Sequence, residues 1–277
     1  MEKQLVTLPN APLPFVDRLA VRIAAPVIVA ALALGGWEAY VRIAETPSYI
    51  LPAPTKIVQT LWSDRAELSA AWIVTLKTMF SALGLAVAGG VVMAVLFSAS
   101  RLLEISLFPP AVVLQVTPLI AIAPLLSVWL GDQPWLVLLL CAFIVAFFPI
   151  LSNTVAGLQS VDHGHRDLMR LYGASPLQRL WMLQIPSMLP YFLTGLKVAA
   201  NLALVGAIVA EFAVGAGGKQ TGLASTILES GFRLEVPRMF AALALVSFTG
   251  VAVYFLIHAL STWLLSPWHD SAVRRDT

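Results

Sequence analysis

An all-α membrane protein with about six transmembrane helices is the fold class this sequence predicts, and two observations carry it. The 277-residue chain is 59% hydrophobic and 12% charged, about half the charged share of a soluble domain, and its mean hydropathy is +0.85. Its apolar residues also fall in blocks of about 20, enough to cross about 30 Å of hydrocarbon as a helix. A net charge of +2 with no basic stripe among the aromatics excludes a nucleic-acid partner. The single cysteine, Cys141, excludes an internal disulfide and any multi-cysteine metal site.

In chain order, the spans are expected over residues 23–43, 72–97, 105–130, 135–157, 188–214 and 239–265. The first is too long for the apolar region of a signal peptide and runs into Glu38 and Arg42 rather than a small-residue cleavage site. It reads as a retained span, preceded by a peripheral segment over residues 1–22. The second and fifth carry small residues suited to close packing in lipid: Gly84, Gly89 and Gly90, then Ala199, Ala200 and Ala203. The third is irregular, since Pro109, Pro110, Pro118 and Pro124 each remove a backbone donor. Irregular backbone at membrane depth must face protein or a watery cavity. Gln115 and Thr117 flank Pro118 and either satisfy freed carbonyls or face a solute. Residues 45–71 and 215–238 read as the long loops on one side, Pro52 and Pro54 favouring extended or turn conformation over 48–55 in the first.

Lysine and arginine set the orientation. The loop over residues 161–186 holds Arg166, Arg170 and Arg179, whereas the turn over 131–134 holds none. Six spans then place both termini and the charged loop in the cytoplasm, around one membrane domain over 23–265 with a tail over 266–277.

The charged loop is an island of helix-forming sequence between two apolar runs. Residues 165–172 read as a short helix, with Leu168, Met169, Leu171 and Tyr172 on an apolar side. Gly173 can take positive φ and end it. Ser175 is placed as N-cap and Pro176 as first residue of a second helix over 176–184, which Ile185 and Pro186 are expected to break. Such an elbow either hands motion from a soluble protein to the flanking spans or packs on its own spans as an interfacial loop.

The loop resembles the cytoplasmic signature of ABC-importer permeases: Glu-Ala-Ala, three residues, Gly, nine residues, Ile-x-Leu-Pro. Here the positions are held by Asp167-Leu168-Met169, Gly173 and Leu183-Gln184-Ile185-Pro186, with the spacing kept and Leu168 and Met169 in place of alanines. Trp37-Glu38, residues 50–54, the proline-bearing stretch 115–129, Leu189-Pro190, Gly195-Leu196-Lys197, Ala210-Glu211 and Gly222-Leu223 are similar, in the same order, to the nitrate/sulfonate/taurine branch, which includes thiamine-pyrimidine and riboflavin permeases. The third span stands nearer the heteroaromatic-vitamin members.

The resemblance implies a type I importer permease fold in the bacterial inner membrane. Two permease copies would sit with a cytoplasmic ATPase dimer and a periplasmic solute-binding protein, importing a small organic or oxyanion solute with no cofactor of the permease's own. It assigns Asp167, Leu168, Met169, Gly173, Ala174, Ser175, Pro176, Leu177 and Pro186 to ATPase coupling. For the solute pathway we name Gln115, Thr117, Asn201 and Glu211.

Other residues point elsewhere less well. His163 and His165 lie two apart, a spacing that does not put both on one helix face for a metal. His258 stands alone in the last span and reads as a packing residue, while Glu38 and Lys77 read as snorkelling to the interface. A stand-alone secondary transporter would need ionisable groups near mid-membrane, which only Glu211 and Lys197 approach. An intramembrane enzyme would need a convergent catalytic set, and no Ser/His/Asp cluster or carboxylate pair supplies one.

Overall fold

The computed structural model describes residues 19–131, 133–214 and 222–266; the expected peripheral segment over 1–22, the tail over 266–277 and the start of the 215–238 loop lie wholly or largely outside them. The described residues form helices and connections, with no strand among them. In order these are α1 (Leu19–Ile43), α2 (Pro54–Ser63), α3 (Arg65–Ala99), α4 (Arg101–Val116), α5 (Leu119–Leu130), α6 (Pro134–Gln159), α7 (His163–Leu171), α8 (Pro176–Arg179), a π-turn (Leu180–Gln184), α9 (Ile185–Val214), α10 (Leu223–Phe232) and α11 (Val236–Leu265). Five are long and apolar enough to cross a membrane, or six if α4 and α5 count as one broken span.

The core is the three-helix packing of α3, α6 and α9, with α11 closing one side. Met79 and Leu83 of α3, Ala146 and Ile150 of α6, Ala199, Ala200 and Ala203 of α9 and Val253 of α11 are all buried there. Small residues let α6 and α9 approach closely, as expected of packing in lipid. A Cβ on Gly195 would lie 2.7 Å from the Pro149 carbonyl oxygen, and one on Gly206 2.6 Å from Cγ2 of Val145. Gly90 meets Ile150 in the same way, but Gly84 faces open space, so it takes no part in this packing. Gly195→Val should therefore cost about 1–3 kcal/mol by overpacking, read as a fall of roughly 5 °C in the unfolding midpoint in detergent. Gly84→Val should leave the midpoint unchanged.

The third span is irregular, as expected, and the irregularity is concentrated in one bend: α4 and α5 meet at 101°, as a broken span or a re-entrant loop would. The break is at Thr117 and Pro118: Thr117 is extended (φ −72°, ψ 127°) and Pro118 serves as N-cap of α5, because a residue preceding proline is pushed out of the helical region. Pro109, Pro110 and Pro124 stay inside their helices. The long loops are corrected. Pro54 does not exclude a helix but starts one as N1 of α2, where its missing N–H would have been unpaired anyway. Glu38 has a partner of its own: its carboxylate accepts from Thr55 N (3.1 Å) and Thr55 Oγ1 (2.8 Å), capping α2 from α1. Lys77 sets its Nζ 5.5 Å from the ring centre of Trp135, a cation–π contact. His258 stacks on Tyr254.

Candidate functional site: the elbow and the exposed face of α9

The elbow between α6 and α9 is built from two short helices whose ends are locally determined. Asp162 is the N-cap of α7, its Oδ1 accepting from Gly164 N at 2.7 Å. At the other end Gly173 has φ +69°. Gly173 N donates to Arg170 O (3.0 Å) and Ala174 N to Met169 O (2.9 Å), the paired bonds of a Schellman motif. Ser175 then opens α8 with a full capping box: its Oγ accepts from Gln178 N, and Gln178 Oε1 accepts from Ser175 N at 2.8 Å. Pro176 sits at the first helical position. Between the two helices only Tyr172, Gly173, Ala174 and Ser175 lie outside helical geometry, and every one of them is held by its turn or cap.

One expectation fails here. Ile185 and Pro186 do not break the helix; α8 runs through the π-turn into α9, and Pro186 lies in the first turn of α9. A proline inside a helix clashes with the carbonyl four residues back. Widening by one residue, with Ile185 N donating to Leu180 O, relieves this, as π-bulges do. The elbow thus joins the spanning helix without a hinge at Pro186.

Hydrogen bonds tie the elbow and the ends of the spans together. Arg166 Nη2 donates to Leu158 O (3.3 Å) and Gln159 O (3.2 Å) at the end of α6. Gln184 Nε2 donates to Ser98 Oγ of α3 at 3.2 Å, and Gln159 Nε2 donates to Glu104 Oε1 of α4 at 3.0 Å. Leu168, Leu171 (85% exposed), Tyr172 (82%) and Leu177 (64%) nevertheless present their apolar side chains outward. Asp167 is exposed beside Arg170, 3.6 Å away, and Met169 is half-buried.

The four residues named for a solute path separate into two groups. Asn201 is exposed in the middle of α9, on a stripe that includes Tyr191, Thr194, Val198, Val205 and Phe212 at helical spacing. The opposite face of α9 is the one packed on α3 and α6. Gln115 is exposed in the last turn of α4. Thr117 is half-buried and its hydroxyl donates to Val113 O at 2.7 Å. Glu211 is 1% exposed and faces no open surface of the chain. Its Oε1 accepts from Thr75 Oγ1 and its Oε2 from Ala224 N, both at 2.8 Å. Thr75 Oγ1 in turn accepts from Leu223 N at 2.9 Å, so Glu211 and Thr75 together cap α10. Sequence reasoning did not single out Thr75; its only signal was a hydroxyl inside an otherwise apolar run.

The profile of the binding-protein-dependent transport system inner membrane component matches residues 86–266. The chain belongs to that family. It is 30% identical over 247 residues to a probable ABC transporter permease protein of Haemophilus influenzae, covering 89% of this chain and 97% of the relative. A formylaminopyrimidine transport permease of Halalkalibacterium halodurans is 31% identical, covering 84% and 90%. A riboflavin transport system permease of Chloroflexus aurantiacus is 30% identical, covering 85% and 86%. The permease is thus a multi-pass membrane transport subunit, and its matched region contains the whole elbow.

Proposed function

We propose that two copies of this permease form the inner-membrane channel of an ABC importer, driven by a cytoplasmic ATPase dimer and loaded by a periplasmic binding protein. Both termini and the elbow face the cytoplasm in this reading. The observation that carries it is the elbow: a rigid, doubly capped corner that exposes Leu168, Leu171, Tyr172 and Leu177 while bonded to the ends of α6 and α3. Apolar side chains left outward on a polar corner need a protein to cover them. The ties to α3 and α6 then turn displacement of the elbow into displacement of the spans. Asp167, Leu168, Met169, Gly173, Ala174, Ser175, Pro176 and Leu177 form the docking corner, and Pro186 carries the join to α9.

The solute is a small heteroaromatic compound of the pyrimidine or flavin kind. The formylaminopyrimidine and riboflavin permeases, similar along most of the chain, support this. So does the exposed stripe of α9, where Tyr191 and Phe212 offer ring faces and Asn201 an amide. An amide in mid-span is costly against lipid, and a solute path or the second copy removes that cost. Gln115 and Thr117 belong to the same path at the bend between α4 and α5. Glu211 bears on the path indirectly, by holding α10.

Reconstitution with the ATPase and the binding protein tests the reading. Uptake of a labelled pyrimidine should need all three components and ATP, and should fall about tenfold in Asn201→Leu, an expectation of about 1.4 kcal/mol for one lost solute hydrogen bond, with ATPase docking intact. Uptake by the permease alone would instead establish a secondary transporter. Loss of activity in His258→Ala would point to intramembrane catalysis.

A further inference from the structure

Beside the elbow lies a cleft of about 620 Å³ between the end of α3 and the α8 corner. Three arginines line it, Arg166, Arg170 and Arg179, over an apolar floor that includes Val95, Leu180 and Leu183, and it shares Pro176 and Leu177 with the docking corner. Among the described residues no carboxylate lines it. The Nε atoms of Arg166 and Arg179 are buried with no hydrogen-bond partner. Among the described residues, the one ion pair of these arginines is that of Arg170 with Asp167, at 3.6 Å and about two-thirds exposed on both sides, a geometry of little strength. Buried donors without acceptors are rare in folded proteins and call for a ligand.

We infer that this cleft holds the phosphate group of an anionic phospholipid headgroup at the membrane surface. A phosphodiester supplies the acceptor oxygens that a planar guanidinium fork recognises. The apolar floor suits the glycerol and first acyl carbons, which a free phosphate would leave uncovered. Basic pockets between spanning helices on the cytoplasmic side are a known form of lipid headgroup site. Trp181 and Met182, between the lining residues Leu180 and Leu183 in sequence, are exposed, and a tryptophan at a membrane surface anchors in the interface. Because Arg166 also holds the end of α6, a bound headgroup braces the elbow against the spans. The inference goes beyond the permease reading and rests on it only in placing the elbow at the cytoplasmic surface.

The test uses the full-length permease in phosphatidylcholine nanodiscs titrated with phosphatidylglycerol, with bound lipid counted by native mass spectrometry. Phosphatidylglycerol should bind in preference to phosphatidylcholine. Arg179→Gln should weaken it about tenfold, the loss of one charge-assisted hydrogen bond. Should that variant not fold, Arg170→Gln, at an exposed side chain, should weaken it about fivefold. Arg233→Gln, paired with Glu229 on α10, should change nothing. Equal binding by the variants and the wild type overturns the site, and inorganic phosphate competing as well as the lipid overturns the headgroup assignment. Co-purification of the ATPase, measured on the same variants, separates this failure from failure of the permease reading: docking that persists without lipid selectivity leaves the importer standing and removes the lipid.

Discussion

Gly173→Val should cut ATPase co-purification with the permease about tenfold or more while leaving membrane insertion unchanged. The reason is backbone conformation rather than space. Gly173 has φ +69°, and a Cβ added there meets nothing within 4 Å. A β-branched residue in the left-handed region is a strong outlier, and holding it there costs about 1–3 kcal/mol. The chain avoids that cost by giving up the two Schellman bonds from Gly173 N and Ala174 N. The angle between α7 and α8 is then no longer fixed, and Leu168, Leu171, Tyr172 and Leu177 cease to form one surface. Asparagine tolerates the left-handed region, so Gly173→Asn should retain most of the docking. Asp167→Arg should weaken docking by a different route, placing a third positive charge beside Arg166 and Arg170 with folding of the corner preserved. If Gly173→Val and Gly173→Asn lose docking equally, the glycine acts by touching the partner and not by shaping the corner. If neither the Val nor the Arg variant loses it, the elbow is not the docking site.

This corner was legible in the sequence because every bond that shapes it is local. Asp162, Gly173, Ser175, Pro176 and Gln178 cap helices within three residues of themselves, and their types announce those roles. The spanning helices were legible for a similar reason, since length and apolarity alone define them. What escaped depends on partners far along the chain. Thr75 and Glu211 meet across 136 positions, and the arginine cleft joins α3 to a loop more than sixty residues later. Proline was the most ambiguous signal: Pro54 starts a helix, Pro118 ends one at 101°, and Pro186 is absorbed by a π-turn. The difference lies in which carbonyl each ring faces, and that is settled by packing rather than by residue type.

Removing the carboxylate of Glu211 should have the second large effect, because α10 has no side-chain cap of its own and borrows its cap from Glu211 and Thr75. Its N-cap is Gly222, which supplies no side-chain acceptor. The amides of Leu223 and Ala224 instead reach Thr75 and Glu211, just as Thr55 N at the start of α2 reaches Glu38 of α1. The short helices α2 and α10 are thus both capped by a glutamate from a spanning helix. The Glu211 cap differs in being buried, so its loss leaves donors that water does not readily reach. Each unpaired buried donor costs about 1–3 kcal/mol, and the lost interaction of a carboxylate with a helix N-terminus adds about 0.3–2 kcal/mol. Glu211→Ala should therefore destabilise the permease by about 3–5 kcal/mol, enough to remove most of the folded protein from the membrane. Glu211→Gln keeps the shape and the acceptor for Ala224 N but loses the negative charge and turns its NH2 toward Thr75 Oγ1, which already accepts from Leu223 N, and should cost about half as much. Gly222→Ala should mimic Glu211→Ala, since the new Cβ falls on the carboxylate itself. Thr75→Ser should be tolerated and Thr75→Val should not. Hydrogen exchange at Leu223 and Ala224 reads this locally: both amides should exchange far faster in Glu211→Ala, ahead of those in α3 and α6. Uniform acceleration through the whole core would mean that Glu211 holds the bundle together and that the cap of α10 is incidental.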